Sequence, residues 1–223
     1  DTADTHGATK SKFFGFGSKK KSNKPEYTGD MKHGKACGKG SCTWQNGDTY
    51  DGDWQDNCMH GKGVFVWKQK SCRYEGEYKD GLSHGKGKLV LQAEGQYEGD
   101  FVEGKKHGQG TWTGPDDMVY VGQYQKDRRH GLGTLNMHDG SSYSGDWKEG
   151  KFDGQGVWIW RDKRRFEGLF AKDHPVEGIL NFDGASRNVS WDTRTGTFVS
   201  LEHANGLLDS MSPRRWSGGD KGK

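Results

Sequence analysis

Of the 223 residues only 29% are apolar, against roughly 45–50% with glycine included in typical soluble domains, so a conventional two-layer core cannot be filled from this inventory. The 37 glycines come with 9 Trp, 8 Tyr and 10 Phe, which argues against simple disorder, because disordered chains are poor in aromatics. The net charge of +3 sits at the ends: residues 1–26 and 211–223 each carry +3 and the body between them −3, a balance that argues against nucleic acid as the partner.

Residues 1–26 read as a basic flexible tail. Within it Lys10, Lys12, Lys19, Lys20, Lys21 and Lys24 enclose Phe13, Phe14 and Phe16. Basic residues interleaved with aromatics suit an anionic surface, each Lys adding about 1 kcal/mol near anionic lipid. Acidic tubulin tails offer the same complementary charge. The competing reading is a solvated tail that binds nothing.

From Tyr27 the chain is periodic. Aromatics at Tyr27, Tyr50, Tyr74, Tyr97, Tyr120, Tyr143 and Phe166 are spaced by 23 residues, once by 24. A glycine follows each by two positions, as in Gly52, Gly76 and Gly145. Four positions after each start stand Met31, Trp54, Tyr78, Phe101, Tyr124, Trp147 and Phe170. After the first six starts comes a Gly-x-Gly pair, from Gly38/Gly40 through Gly61/Gly63 to Gly154/Gly156. Tyr-x-Gly-x-aromatic alternates with period two and predicts a strand with one apolar face. Segments such as Lys79-Asp80-Gly81 and Lys148-Glu149-Gly150 predict turns. Gly-x-Gly opens a second strand, as in Gly61-Lys62-Gly63-Val64-Phe65-Val66-Trp67. Each unit is therefore a β-hairpin, marginal alone and stabilised by stacking on its neighbours. The expected fold class is all-β, an elongated single-layer antiparallel hairpin solenoid rising about 10 Å per repeat.

This comb resembles the MORN family (membrane occupation and recognition nexus), whose unit reads Tyr-x-Gly-x-Trp/Tyr/Phe, a turn, then Gly-x-Gly. The closest local matches are Tyr74-Glu75-Gly76-Glu77-Tyr78 running to Gly85-Lys86-Gly87 and Tyr143-Ser144-Gly145-Asp146-Trp147 running to Gly154-Gln155-Gly156. Seven repeats are expected over residues 27–184. The first departs by carrying Met31 in place of an aromatic. In the seventh, Gly178 stands one position late for the first glycine of a pair, with Ile179-Leu180 after it. End units of a solenoid are atypical because they cap the stack. Residues 185–210 are expected to form a C-terminal cap, with Val189-Ser190-Trp191 and Thr197-Phe198-Val199 as its strands, and 211–223 a second basic tail.

A single-layer sheet has no second layer to hide its apolar face, and large exposed aromatic patches mark interaction sites. The expected partner groove is lined by Trp54, Tyr78, Phe101, Tyr124 and Trp147 from the first strands and by Trp67, Trp112 and Trp158 from the second. Core packing alone is the competing reading. Asp30, Asp53, Glu77, Asp100 and Asp146 fall on the opposite face, where cross-strand ion pairs are expected. His60, His84, His107 and His130 recur one repeat apart, about 10 Å, too far for one zinc ion whose ligands lie about 2 Å away. Cys37 and Cys42 lack redox or zinc-ribbon spacing, so the four cysteines read as reduced thiols. No nucleotide loop or nucleophile elbow is present.

The reading is thus non-enzymatic, with no metal and no cofactor. The resemblance implies a cytoplasmic scaffold that presents a long face to protein partners in a larger assembly, of the kind found in axonemes, radial spokes and other cytoskeletal structures of cilia and flagella. A terminal repeat is a candidate contact for a homodimer. The alternative is a membrane-apposed adaptor that binds anionic lipid through the basic tail and the repeats.

Overall fold

A computed structural model describes residues 24–201. Lys10, Lys12, Phe13, Phe14, Phe16, Lys19, Lys20 and Lys21, the end of the 185–210 segment and the 211–223 tail lie outside the described residues. Contacts divide the chain into two compact units, residues 1–106 and 107–223.

In the first unit β1 (Glu26–Lys32), β2 (Lys35–Thr43), β3 (Thr49–Gln55), β4 (Cys58–Trp67), β5 (Cys72–Lys79), β6 (Leu82–Leu91) and β7 (Gly95–Val102) follow one another. Each is hydrogen-bonded antiparallel to the strand before it. In the second unit the same meander runs through β8 (Lys105–Thr113), β9 (Val119–Gln125), β10 (Arg128–Asn136), β11 (Ser142–Lys148), β12 (Lys151–Ile159), β13 (Arg165–Ala171), β14 (His174–Phe182), β15 (Ala185–Asp192) and β16 (Thr197–Ser200). A short 3-10 turn, Pro115–Asp117, separates β8 from β9.

The turns inside the repeats have two residues with positive φ, such as Asp56 (49°) and Asn57 (70°), or Asp80 (50°) and Gly81 (83°). That geometry matches the right-handed twist of flanking strands. Successive tips are also tied together: the Asn57 N–H donates to the Ala36 carbonyl at 3.1 Å, and its side-chain oxygen accepts the Ala36 N–H at 2.8 Å.

Register explains the glycines. Gly29, Gly40, Gly52, Gly63, Gly76 and Gly87 stand opposite one another across β1 to β6. Gly110, Gly122, Gly133, Gly145, Gly156, Gly168 and Gly178 do so across β8 to β14. The result is a side-chain-free trough down each unit, and the starting rings lie in it. A Cβ added to Gly63 would come within 2.5 Å of Tyr50 Cζ, and one on Gly52 within 2.5 Å of Gly63 Cα. The other glycine of each pair has a different task. Gly61 (φ 58°) and Lys62 bulge between the pairs Gly52↔Gly63 and Asp53↔His60, a conformation that glycine adopts without strain.

The seventh hairpin corrects one sequence reading. Gly178 is not a late first glycine; it stands opposite Gly168 and so takes the place of the second one. The bulge there shrinks to Val176, between the pairs Leu169↔Glu177 and Phe170↔Pro175, so no glycine is needed before it. β15 and β16 pair over Val189–Asp192 and Thr197–Ser200 as a final hairpin.

Candidate partner-binding face

The inner face is built outward from the trough. Tyr50, Tyr74, Tyr97, Tyr120, Tyr143 and Phe166 are each at most 1% exposed. The tyrosine hydroxyls donate to the carbonyl three residues on, as Tyr50 does to Asp53 at 2.9 Å and Tyr143 to Asp146 at 2.8 Å. Burial therefore costs no lost hydrogen bond there. Four residues after a start, the rings of Trp54, Tyr78, Phe101, Trp147 and Phe170 each stand edge-on between two starting rings. Trp54 lies 5.3 Å from Tyr27 and 5.1 Å from Tyr50, with interplanar angles of 84° and 88°. Trp147 lies 5.0 Å from Tyr120 and 5.4 Å from Tyr143. Such T-shaped pairs contribute about 0.5–1.5 kcal/mol beyond area burial.

This geometry decides where each expected groove residue sits. Trp54, Tyr78, Phe101, Tyr124 and Trp147 are buried within the ladder, and so is Trp158. Trp67 and Trp112 are half-exposed. They belong to a shoulder formed by the residues 15 and 17 positions after each start, where Trp44, Phe65 and Trp160 are half-exposed as well. In the first unit Phe65 packs 5.2 Å from Trp44 and 4.4 Å from Trp67, making a continuous tilted row.

Two cations fill part of this face from within, and the sequence reading missed them. The Arg129 guanidinium lies 5.1, 4.9 and 5.2 Å from the ring centres of Trp112, Tyr120 and Trp147. Lys106 lies 5.2 Å from that of Tyr97. Both stand nine positions after a start, the offset at which Phe152 stacks 4.0 Å from Tyr143. That shared offset was the available signal. Burial pushes the Tyr124 hydroxyl up to about 12, an effect that Arg129 partly offsets. Tyr50, Tyr74 and Tyr143 are raised further, again mainly by burial.

The outer face carries the expected carboxylates, with a role the spacing did not reveal. Asp53 accepts the Lys62 N–H at 2.8 Å and Asp146 accepts the Gln155 N–H at 2.7 Å, each satisfying a bulge. Lys39 pairs with Asp53 and Lys86 with Asp100, both at 2.7 Å. The Lys39 ammonium is the chief reason that the Asp53 carboxyl lies below its ordinary range. Lys24 is exposed. His60 faces Asp80, with Nδ1 3.9 Å from its carboxylate. Among the described residues no three His, Cys, Asp or Glu side chains cluster to hold a metal ion. The four cysteines are free, Cys42 being buried. No described helix is long and apolar enough to cross a membrane.

A family model described as the MORN repeat matches residues 27–49, 50–72, 74–92, 97–119, 120–142 and 143–163, together more than half of the chain. The chain belongs to the MORN-repeat family. The seventh MORN-like hairpin, β13–β14, follows the matched segments and keeps their glycine register. No curated protein matched the chain in sequence. Among solved structures, the chain is similar to the Drosophila melanogaster SAS-4 (dCPAP) TCP domain in complex with a proline-rich motif of Ana2 (dSTIL). That match has 12% identity and TM-score 0.41, covering 68% of this chain and 83% of that one. It is also similar to the Danio rerio CPAP TCP10 domain, at 13% identity and TM-score 0.42, covering 74% and 79%. The same zebrafish domain in complex with a STIL peptide matches at 11% identity and TM-score 0.43, covering 69% and 68%.

Proposed function

We propose that this MORN-repeat chain is a non-enzymatic scaffold that binds protein partners along its aromatic shoulder. The carrying observation is the division of labour among its rings. The inner rings are consumed by the ladder, whereas Trp44, Phe65, Trp67, Trp112 and Trp160 remain half-exposed on that rigid base. Half-exposed tryptophans on a pre-organised surface are the side chains that dominate binding energy when a partner excludes water from them. Met59, Leu89 and Leu91 supply further half-exposed apolar area in the first unit. The assembly we assign it to is cytoskeletal, an axoneme with its radial spokes being the leading example, because MORN-only chains resemble such scaffolds.

The test is co-purification of partners with the full chain carrying Trp67→Ala and Trp112→Ala, beside a Glu77→Ala control on the outer face. The scaffold reading expects the double variant to lose at least one partner that the control keeps. A folded double variant that keeps every partner would remove the shoulder from the binding site.

A further inference from the structure

The two units hold the same slot in opposite charge states. The turn between β12 and β13 closes with the Trp160 N–H donating to the Arg164 carbonyl and the Lys163 N–H to the Trp160 carbonyl, both at 2.9 Å. Arg164 then lays its guanidinium 5.3 Å from the ring centre of Trp160 and 5.9 Å from that of Phe182. Asp162 holds it in place at 2.8 Å.

The turn between β2 and β3 has the same hydrogen bonds, Trp44 N–H to the Asp48 carbonyl and Gly47 N–H to the Trp44 carbonyl, both at 2.9 Å. Trp44 thus matches Trp160, Trp67 one hairpin on matches Phe182, and Asp48 stands where Arg164 does. The slot here carries a carboxylate, and among the described residues no cation lies over its rings. The half-buried Phe65 ring packs against both, 5.2 Å from Trp44 and 4.4 Å from Trp67. Asp48 is half-buried and fixed: its carboxylate accepts the Lys68 N–H at 2.9 Å and the Asn46 side-chain N–H at 2.6 Å. The Lys68 side chain runs instead toward Gly47, where an added Cβ would meet its Cδ at 2.7 Å.

We propose that Trp44, Phe65, Trp67 and Asp48 form a binding site for an arginine side chain of a protein partner. A guanidinium is planar, stacks on aromatic faces and pairs with a carboxylate in a fixed fork. Arg164 shows that the matching slot of this fold accepts that group. The site rests on the scaffold reading above and specifies its partner as a segment that offers an exposed arginine.

The test is an NMR titration of the ¹⁵N-labelled full chain, reading the indole N–H signals of Trp44 and Trp67. The probe is N-acetyl-arginine amide, with N-acetyl-citrulline amide as its uncharged isostere. Arginine amide should move both signals and leave Trp160 in place, because Arg164 occupies that slot. Citrulline amide and the Asp48→Asn chain should each bind about tenfold more weakly or worse. Should Asp48→Asn fail to fold, Trp44→Leu, read at the Trp67 signal, gives the same prediction by removing the counterpart of Trp160, one of the two rings against which Arg164 lies in the matching slot.

Equal shifts with citrulline amide, or equal movement of Trp160, would overturn the site. So would displaced Trp44 and Trp67 signals in an unliganded chain carrying Arg214→Gln and Arg215→Gln, since the chain's own arginines would then be the occupant. A chain that loses partners with Trp67→Ala and Trp112→Ala but ignores arginine amide keeps the scaffold reading and loses this site. One that binds arginine amide but loses no partner does the reverse.

Discussion

Two equivalent stretches of outer face differ sharply. Across β2 to β7 the row three positions after each start, with its cross-strand partners, reads Lys39–Asp53, Lys62–Glu77 and Lys86–Asp100. Across β8 to β13 the same row reads Gln109–Gln123, Leu132–Asp146 and Gln155–Leu169. The first unit thus sets opposite charges directly across from one another, which favours their pairing. The second exposes Leu132 at 64% and Val121 at 50%. The starting rings of the two inner faces, by contrast, recur in both units, buried over glycine from Tyr50 to Phe166. The inner face must bury its rings over glycine, so its residues are fixed by packing; the outer face is free to vary and to distinguish one unit from the other.

Substitutions in the trough give the harshest test of that inner equivalence. Gly63→Val in the first unit and Gly156→Val in the second should each destabilise by about 3 kcal/mol, because the new side chain collides with Tyr50 or Tyr143. Chemical denaturation measures both. A cost confined to one unit would break the equivalence.

Alkaline pH comes next. A tyrosine whose hydroxyl is raised in the fold contributes stability that is fully present below its unfolded value of about 10 and is lost as pH rises through the folded value. For Tyr124, pushed up to about 12, the window is about pH 10 to 12, and the loss is of order 2–3 kcal/mol. Absorbance of tyrosinate should therefore rise late and together with unfolding. An early rise in the folded chain would show that the hydroxyls are open to solvent.

Arg129→Met keeps most of the side-chain volume and removes the charge among Trp112, Tyr120 and Trp147. The expected cost is about 1–2 kcal/mol, on the scale of a desolvated cation–π contact. A neutral result would show that Arg129 serves only to fill space.

The outer face should respond least. Lys39→Gln with Lys86→Gln should cost under about 1 kcal/mol at low salt and nothing measurable at high salt, since these ion pairs are exposed. Gln109→Ala should show no salt dependence at all. A larger, salt-resistant loss in the first unit would mean that its charges do more than decorate the surface.

Much of this architecture was legible in the sequence because it is periodic. Tyr-x-Gly-x-aromatic gave the first strand, Gly-x-Gly the second, and Asp80-Gly81 the turn. Depth was not legible. Trp54, Tyr78 and Phe101 share a face with Trp67, and alternation alone cannot say which ring stands over the glycine trough and which on the shoulder. That depends on cross-strand register, such as Gly52 opposite Gly63. The same gap hid the role of Gly178, whose position relative to Phe166 misleads until Gly168 is seen opposite it. The cations were missed because the offset that Lys106 and Arg129 share holds Ala36, Met59, Ser83, Phe152 and Pro175 in the other repeats, and Arg164 is the one cation at its own offset in the six matched repeats; a repeat search rewards what recurs.

The central claim is that inner rings hold the fold while shoulder rings remain available for partners. The most direct measurement is the unfolding free energy of the full chain with Trp67→Ala or Trp112→Ala, set beside Phe101→Ala. Removing Phe101, 3% exposed in the ladder, should cost about 3–5 kcal/mol. Either tryptophan replaced alone should cost about 2 kcal/mol, since each keeps solvent-facing surface in the fold. A shoulder variant as unstable as Phe101→Ala would contradict the account, because Trp67 or Trp112 would then be core.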